Sequence, residues 1–291
     1  MLGGLAPLTG DKEEDLLETA LLEVGYHAEE SSAYLAAHYH LASGGGRSRS
    51  SLALSLSRRL SIHESDAVKI AASIELLHNA SLVHDDLMDK DQVRRGDSAV
   101  WAKFGDETAV CCGDLLISRA FLQCSRLTEK EKVGDCIQLL SQAIEKTIYG
   151  QCLDVDPRAW RHLDSDSYCQ NVIQKTIPLL FLCFELPLAY ADFSYPIELV
   201  KKAVTHFALA YQIIDDLEDR VIDEKVERSN YVSLLAQSMS IQDAESMARE
   251  KARYLIRQCE TIEKRLPAIA IGILTPGIEQ LCFKLDRLSK G

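Results

Sequence analysis

The sequence predicts an all-α protein, and three observations carry that prediction. Apolar residues recur at three- and four-residue spacing along most of the chain. Few runs alternate with a period of two or meet at an Asn-Gly hairpin turn. Aromatic residues, which strands favour, make up 7% of the sequence. Helical periodicity marks segments from Asp15 to His40, Glu64 to Asp89, Thr108 to Ser125, Lys130 to Leu153, Asp166 to Tyr190, Ile197 to Asp219 and Ala244 to Arg265. The expectation is a bundle of roughly ten or more helices around a central cavity, with metal and substrate groups projecting inward. At 291 residues, 47% hydrophobic and 26% charged, the chain suffices for one large core. No internal linker announces a second domain, so residues 1–291 are expected to form one domain.

Taken in order, the first ten residues, MLGGLAPLTG, carry neither a basic n-region nor an apolar h-region. Between the first two helical segments lies SGGGRSRSS, Ser43 to Ser51, a flexible loop by composition, with Arg47 and Arg49 in it. The next helix ends in the stretch that organises the chain, Glu75 to Gly96, ELLHNASLVHDDLMDKDQVRRG. Residues four apart on a helix lie one above the other, so Asp85 and Asp89 share a face, with Ser81 and His78 one and two turns before them. Two carboxylates on one face repel each other unless a cation sits between them or water solvates them. Hard oxygen ligands with room left for water suit Mg²⁺, and Arg94 and Arg95 just beyond suit phosphate. Asp86 adjoins this face. An acidic helix end trailing into a charged loop is the plainer alternative.

A second copy of the pattern decides between them. FALAYQIIDDLED, Phe207 to Asp219, again closes an apolar helix in Asp-Asp-x-x-Asp, with Asp215 and Asp219 on one face, Gln212 one turn before and Asp216 adjoining. Two such helix ends describe two carboxylate walls facing one metal and diphosphate cluster.

The remaining segments are quieter. FGDETAVCCGDLLISRAF, Phe104 to Phe121, reads as a turn and a helix with small residues for close packing, and Phe121 as core. In IYGQCLDVD, Gln151 and Asp154 lie on one face, as a structural hydrogen bond would also require. Lys175 and Thr176 open an apolar run, where a lysine ordinarily snorkels. The C-terminal helices look amphipathic and packing-related.

The SLVHDDLMD and RRG motifs, Lys175-Thr176, Gly150-Gln151 with Asp154, and YQIIDDLED resemble the trans-isoprenyl diphosphate synthases. These make up the polyprenyl synthetase family of head-to-tail prenyltransferases, and the matching motifs extend from about Gly44 to Asp219. The resemblance implies an isoprenoid-synthase fold and a Mg²⁺-dependent enzyme, with three ions when substrate is bound. It condenses isopentenyl diphosphate with an allylic prenyl diphosphate by ionisation, condensation and elimination. It assigns Asp85, Asp89 and Asp215 as direct metal ligands, with Asp86, Asp216 and Asp219 acting through water or at second hand. It gives Arg47, Arg49, His78 and Arg95 to the acceptor diphosphate, and Arg94, Lys175 and Thr176 to the allylic one, while Gln212 borders the substrate. His84 is expected to be structural.

The chain departs from the family pattern at Gly46, where a lysine is usual, and at Ser50, where proline is. Beyond Asp219, Lys225 or Arg228 is left to supply a charge that relatives place elsewhere. Product length is set where the growing chain strikes a wall, and the residues just before the first motif, Ala80 and Ser81, are small. By resemblance, the product has about twenty carbons or more, since a pocket's walls bound what it admits. A noncatalytic partner subunit and a class I terpene cyclase are the competing readings.

The net charge of −12 argues against nucleic acid or an anionic membrane as a nonspecific partner. It does not argue against a diphosphate, because metal ions invert the local sign. Nine cysteines without a CxxC motif fit reduced, buried thiols in a cytoplasmic protein. The longest apolar run, Ile177 to Ala191, is interrupted by Pro178, Glu185 and Pro187, so no membrane span is expected. Family members generally pair, so a homodimer is expected.

Overall fold

In the computed structural model, residues 11–24, 31–154, 164–225 and 229–288 are described. Among them the chain forms twelve α-helices and one two-stranded hairpin. Its contacts gather into two compact units. Of the described residues, one holds those from Asp11 to Ile144 together with Leu182–Ser194; the other holds those of Glu145–Phe181 and those from Tyr195 onward.

The first unit is built on α4, Glu64–Asp89, whose residues from Asp66 to Leu77 are buried except Lys69. A helix buried on nearly all sides must be surrounded. Around it pack α1 (Asp11–Leu22), α3 (Ser48–Arg59) and α6 (Asp106–Ser125). α2 (Ser32–Ala42) and the short α5 (Val100–Phe104) pack in turn against α6. His63 caps the start of α4 by accepting from the amide of Ser65, and Glu64 and Asp66 complement the positive end of the helix dipole. Asp66 also fastens the helix to its neighbours. It accepts from Tyr190 Oη at 2.6 Å, Lys69 Nζ at 2.8 Å and Thr128 Oγ1 at 3.0 Å. At the far end, His84 lies against Gly113, so α4 and α6 run antiparallel.

Two expectations change here. Periodicity from Asp15 to His40 suggested one segment, whereas α1 ends at Leu22 and α2 begins at Ser32, capped by Ser31. The Ser43–Ser51 loop is shorter than its composition implies, because α3 starts at Ser48. Ser50 and Ser51 are buried there, Ser50 donating from Oγ to Glu75 Oε2 at 2.9 Å.

The hairpin pairs β1 (Val93–Arg94) with β2 (Asp97–Ser98), in register Val93 with Ser98 and Arg94 with Asp97. Its two-residue loop, Arg95 and Gly96, has φ of 57° and 87°. Positive φ at both positions is the mirror-image turn that matches the strands' right-handed twist, which is why the second residue is glycine.

Two long helices follow, α7 (Lys130–Asp154) and α8 (Ser165–Tyr190). The helix continues through Pro178 and Pro187 rather than breaking at them. By length and composition α8 could cross a membrane, with a mean hydropathy of 1.5 in its most apolar window, but 61% of that window is buried within the protein. Core helices have this character.

In the second unit, α9 (Ile197–Lys225) packs against α10 (Tyr231–Leu235), α11 (Ile241–Glu263) and α12 (Thr275–Arg287). Glu263 closes the α11–α12 connection, accepting from Leu274 N at 2.7 Å and Thr275 Oγ1 at 3.0 Å. All nine cysteines are free thiols.

Candidate active site

The first acidic motif ends α4. Asp85 is half-buried and Asp89 exposed, one turn apart on the same face. Asp86, rotated away from that face, is fully buried. Arg94 reaches back from β1 and donates from Nε to Asp86 Oδ1 at 2.8 Å and Oδ2 at 3.1 Å, with Nη2 also on Oδ1. Both side chains are almost wholly sequestered, so this is a buried ion pair. Burial pushes the Asp86 carboxyl up, against the pull of Arg94. Arg94, expected to face the allylic diphosphate, thus has its Nε and Nη2 on Asp86.

Arg95 diverges from its neighbour because it occupies the turn. Its Nη1 donates to Gly44 O and its Nη2 to Asn79 Oδ1 at 3.3 Å. The glycine loop makes room for this. A Cβ on Gly45, whose φ is +133°, would come within 2.7 Å of the Arg95 guanidinium carbon. The same Asn79 oxygen takes the His40 Nε2 proton at 3.1 Å, while Asn79 Nδ2 donates to Glu75 O at 2.8 Å and Glu75 Oε1 at 3.2 Å. Burial, with Arg95 next, pulls the His40 pKa down to about 3. Alongside, Arg49 Nη1 donates to His78 Nε2 at 3.0 Å. An acceptor nitrogen facing a guanidinium leaves His78 neutral, and burial followed by Arg49 holds its pKa well below the usual value.

Arg47 lies between two carboxylates. Its Nε and Nη2 clasp Glu18 at 2.6 and 3.0 Å, Nη2 also donates to Leu41 O at 2.9 Å, and Nη1 lies 3.6 Å from Glu75 Oε1. Of the four residues read as acceptor-binding, Arg95 joins the network of Asn79, Glu75 and His40, Arg47 reaches its Glu75 while bracing α1, and Arg49 pairs with His78 alongside. Glu75 and Asn79 are the members that sequence reasoning missed. Both lie on the His78 helix at i, i+4 spacing, the signal that could have found them. Ala80 is buried, and Ser81, half-buried, donates from Oγ to His78 O at 2.8 Å.

The second motif, in the other unit, is built the same way. Asp215 is half-buried, Asp219 exposed and Asp216 buried. Asp216 Oδ2 accepts from Tyr168 Oη at 2.6 Å and Tyr231 N at 2.8 Å, and its Oδ1 accepts from Gln212 Nε2 at 2.9 Å. Gln212 therefore supports the buried aspartate. Asn230 caps α10 and donates to Asp216 O at 2.8 Å, holding the same residue by its backbone. Lys175, on α8, gives its ammonium to Asp154 Oδ2 at 2.9 Å, with Thr176 half-buried beside it. Gly150 permits that approach. A Cβ there would lie 2.5 Å from the backbone carbonyl carbon of Gln174 and the amide nitrogen of Lys175. Lys225 and Arg228 fall outside the side chains described. A cation instead comes from α12, where Lys284 Nζ lies 2.6 Å from Glu218 Oε2 and 4.0 Å from Asp215 Oδ1.

Among the described residues, no group of three or more His, Cys, Asp or Glu side chains gathers closely enough to hold a metal by itself. Each motif instead offers two outer carboxylates one helical turn apart. A hard donor set of that size suits Mg²⁺, which usually takes one or two carboxylates and completes its shell with phosphate oxygens and water.

The fold has close solved counterparts. It superposes on the geranylgeranyl pyrophosphate synthetase of the archaeon Geoglobus acetivorans with a TM-score of 0.77, covering 95% of this chain and 98% of that one. At 23% identity, that likeness speaks for the fold alone. In sequence, a short chain isoprenyl diphosphate synthase from Methanothermobacter thermautotrophicus is 34% identical over 193 residues, 66% of this chain and 59% of that protein. A geranylgeranyl diphosphate synthase from Methanosarcina mazei is 29% identical over 198 residues, 66% and 60% of the two chains. The chain spans about 60% of the length of these curated relatives. The polyprenyl synthetase family model matches residues 30–255, taking in both acidic motifs, the Arg95 turn and Lys175, and the chain belongs to that family.

Proposed function

We propose that this chain is a magnesium-dependent, head-to-tail trans-prenyltransferase. It joins isopentenyl diphosphate to an allylic prenyl diphosphate, releases inorganic diphosphate, and makes a product of about twenty carbons or more, limited by the walls of its channel. The observation that carries the reading is the shared build of the two acidic motifs. In each, the middle aspartate is buried on protein donors and the outer two keep one accessible helix face. Family membership, and relatives named as isoprenyl and geranylgeranyl diphosphate synthases, support it.

In this reaction the allylic C–O bond breaks with both electrons leaving on the diphosphate. The acceptor double bond then attacks the allylic cation, a C–C bond forms, and a proton departs to the released diphosphate. Magnesium, when bound, supplies the positive charge that makes the diphosphate a tolerable leaving group. Asp85 and Asp89 in the first motif and Asp215 in the second would hold metal directly, and Asp219 would serve through metal-bound water. Lys175, oriented by Asp154, donates to the leaving diphosphate together with Thr176. Arg49, Arg95 and neutral His78 receive the acceptor diphosphate, the two guanidiniums supplying charge and fixed donors. Arg94 and Gln212 act through the aspartates they hold.

The protein acts as a cytoplasmic homodimer, a reading supported by its nine free thiols and by the outward-facing Ile148 and Tyr149, 54% and 59% exposed on α7. The test is turnover by the purified chain with Mg²⁺, labelled isopentenyl diphosphate and allylic primers of increasing length. Extension of the primer is expected. No extension of any primer overturns the reading in favour of a noncatalytic subunit, and a cyclic hydrocarbon from a single prenyl diphosphate overturns it in favour of a cyclase.

A further inference from the structure

One face of α9 carries Tyr211, Asp215 and Glu218 at four- and three-residue spacing, and Lys284 of α12 stands over all three. Its Nζ lies 2.6 Å from Glu218 Oε2, 4.0 Å from Asp215 Oδ1 and 5.6 Å from the centre of the Tyr211 ring. Arg287, one turn on, donates from Nη2 to Glu218 Oε1 at 3.1 Å. Glu218 thus has one oxygen on each basic residue of α12 and is withdrawn from the acidic face. Asp215 retains a side-chain exposure of 25%, with the ammonium at its flank.

We propose that Lys284 is a positioning residue of the second acidic motif, a resident counter-ion of Asp215 that disfavours a lone divalent cation and favours a cation–diphosphate complex. The inference rests on Asp215 being a magnesium ligand. A divalent ion on that carboxylate would share it with an ammonium already 4.0 Å from Oδ1, and like charges at such separations repel. A diphosphate reverses the sign. Its oxygens offer the ammonium charge-assisted acceptors that a lone metal ion lacks, so the same ammonium then favours the assembly. Glu218, held independently by Arg287, keeps the lysine close without requiring it to remain against Asp215. The consequence is an order of loading in which this motif takes metal in company with diphosphate rather than ahead of it.

The experiment measures two affinities on the full chain. Mn²⁺ binding, followed by electron paramagnetic resonance, is compared in wild type, Lys284→Met, Lys284→Arg and Asp215→Asn. Binding of inorganic pyrophosphate in excess Mg²⁺ is measured by calorimetry on the same proteins. Methionine keeps an apolar stem over Tyr211, and melting temperatures show that each variant is folded. Lys284→Met is expected to bind Mn²⁺ alone roughly three- to tenfold more tightly and pyrophosphate roughly three- to tenfold more weakly, as for a partly exposed charge pair. Lys284→Arg should keep both constants near wild type. Two shifts of the same sign, or none, overturn the proposal while leaving the magnesium reading of Asp215 intact. Equal binding of pyrophosphate in excess Mg²⁺ by wild type and Asp215→Asn overturns that reading instead, and the proposal with it.

Discussion

The Tyr168 hydroxyl donates to Asp216 at 2.6 Å, and this bond ties the helix that carries Lys175 to the helix that carries Asp215. Tyr168 precedes Lys175 by seven residues, two helical turns on the same helix. Burial, then the Asp216 charge, raises the phenol pKa well above its usual value, so the hydroxyl keeps its proton and remains a donor. The Asp86–Arg94 pair plays the corresponding part in the first motif.

Removing the buried aspartate and removing an exposed one should therefore have opposite profiles. Asp216→Ala leaves the Tyr168 hydroxyl, the Tyr231 amide and the Gln212 amide without their acceptor. It should cost on the order of 3 kcal/mol in stability, because each stranded buried donor costs about 1–3 kcal/mol. Asp89→Asn, on an exposed helix end, should change stability by about 0.5 kcal/mol or less yet lower prenyl transfer by about a hundredfold or more. Thermal unfolding and a product assay on the two variants check this.

The Asp86–Arg94 pair should be worth more broken than absent. Arg94→Met strands a buried carboxylate and should destabilise by about 3–5 kcal/mol, whereas Arg94→Met with Asp86→Leu should recover most of the loss. Denaturant unfolding of the single and double variants measures the coupling, and additive losses would contradict it.

How much of this could be read from the chain depends on the reach of each interaction. The two acidic motifs were legible because their geometry is local: Asp85 with Asp89 and Asp215 with Asp219 are fixed by helical spacing. The Arg95–Gly96 turn was not, since two residues per strand are too few to alternate. Ser50 and Ser51 misled in the other direction. Serines suggest a loop, yet here they lie in the buried first turn of α3, with Glu75 as the partner of Ser50. Tyr168 and Lys284 meet their partners across 48 and 66 residues, and no spacing rule announces such pairs.

Two glycines should respond unequally to alanine. At Gly150 the new methyl meets backbone atoms of Gln174 and Lys175, which cannot retreat without moving the helix. Gly150→Ala should cost about 1–3 kcal/mol, the usual price of overpacking, and draw Lys175 away from Asp154, lowering activity with it. At Gly113 the obstacle is the half-exposed His84 imidazole, a side chain that can swing aside. Gly113→Ala should be milder, and His84→Ala in the same protein should restore the lost stability. Melting temperatures of the three variants decide.

His40 gives a pH dependence of definite sign. Its folded pKa is about 3, below the unfolded value. The unfolded chain therefore takes up a proton that the native state refuses, and stability present above about pH 6.5 falls as the pH drops toward the folded pKa. The slope is about 1.4 kcal/mol per pH unit for one such histidine. His40→Gln, which still offers a donor to Asn79, should flatten the stability curve between about pH 6 and 5 by that amount. An unchanged slope would mean that His40 is protonated in the folded protein.

Product length should answer to Ser81. Its side chain is small and half-buried one turn before Asp85, and its hydroxyl turns back onto His78 O, so little bulk extends beyond the helix there. A phenylalanine would add a ring where the growing chain leaves the first acidic motif, and a filled pocket excludes ligands that no longer fit. Ser81→Phe should therefore shift the products of a farnesyl or geranyl primer to shorter chains, while the first condensation, which needs only the diphosphate-binding groups, continues. Ala80, fully buried in the helix packing, tolerates no such addition, and Ala80→Phe should lower stability before it changes length. Chromatography of the prenyl alcohols released from each variant's products separates the two outcomes. An unshortened distribution from a folded Ser81→Phe protein would place the end of the channel elsewhere.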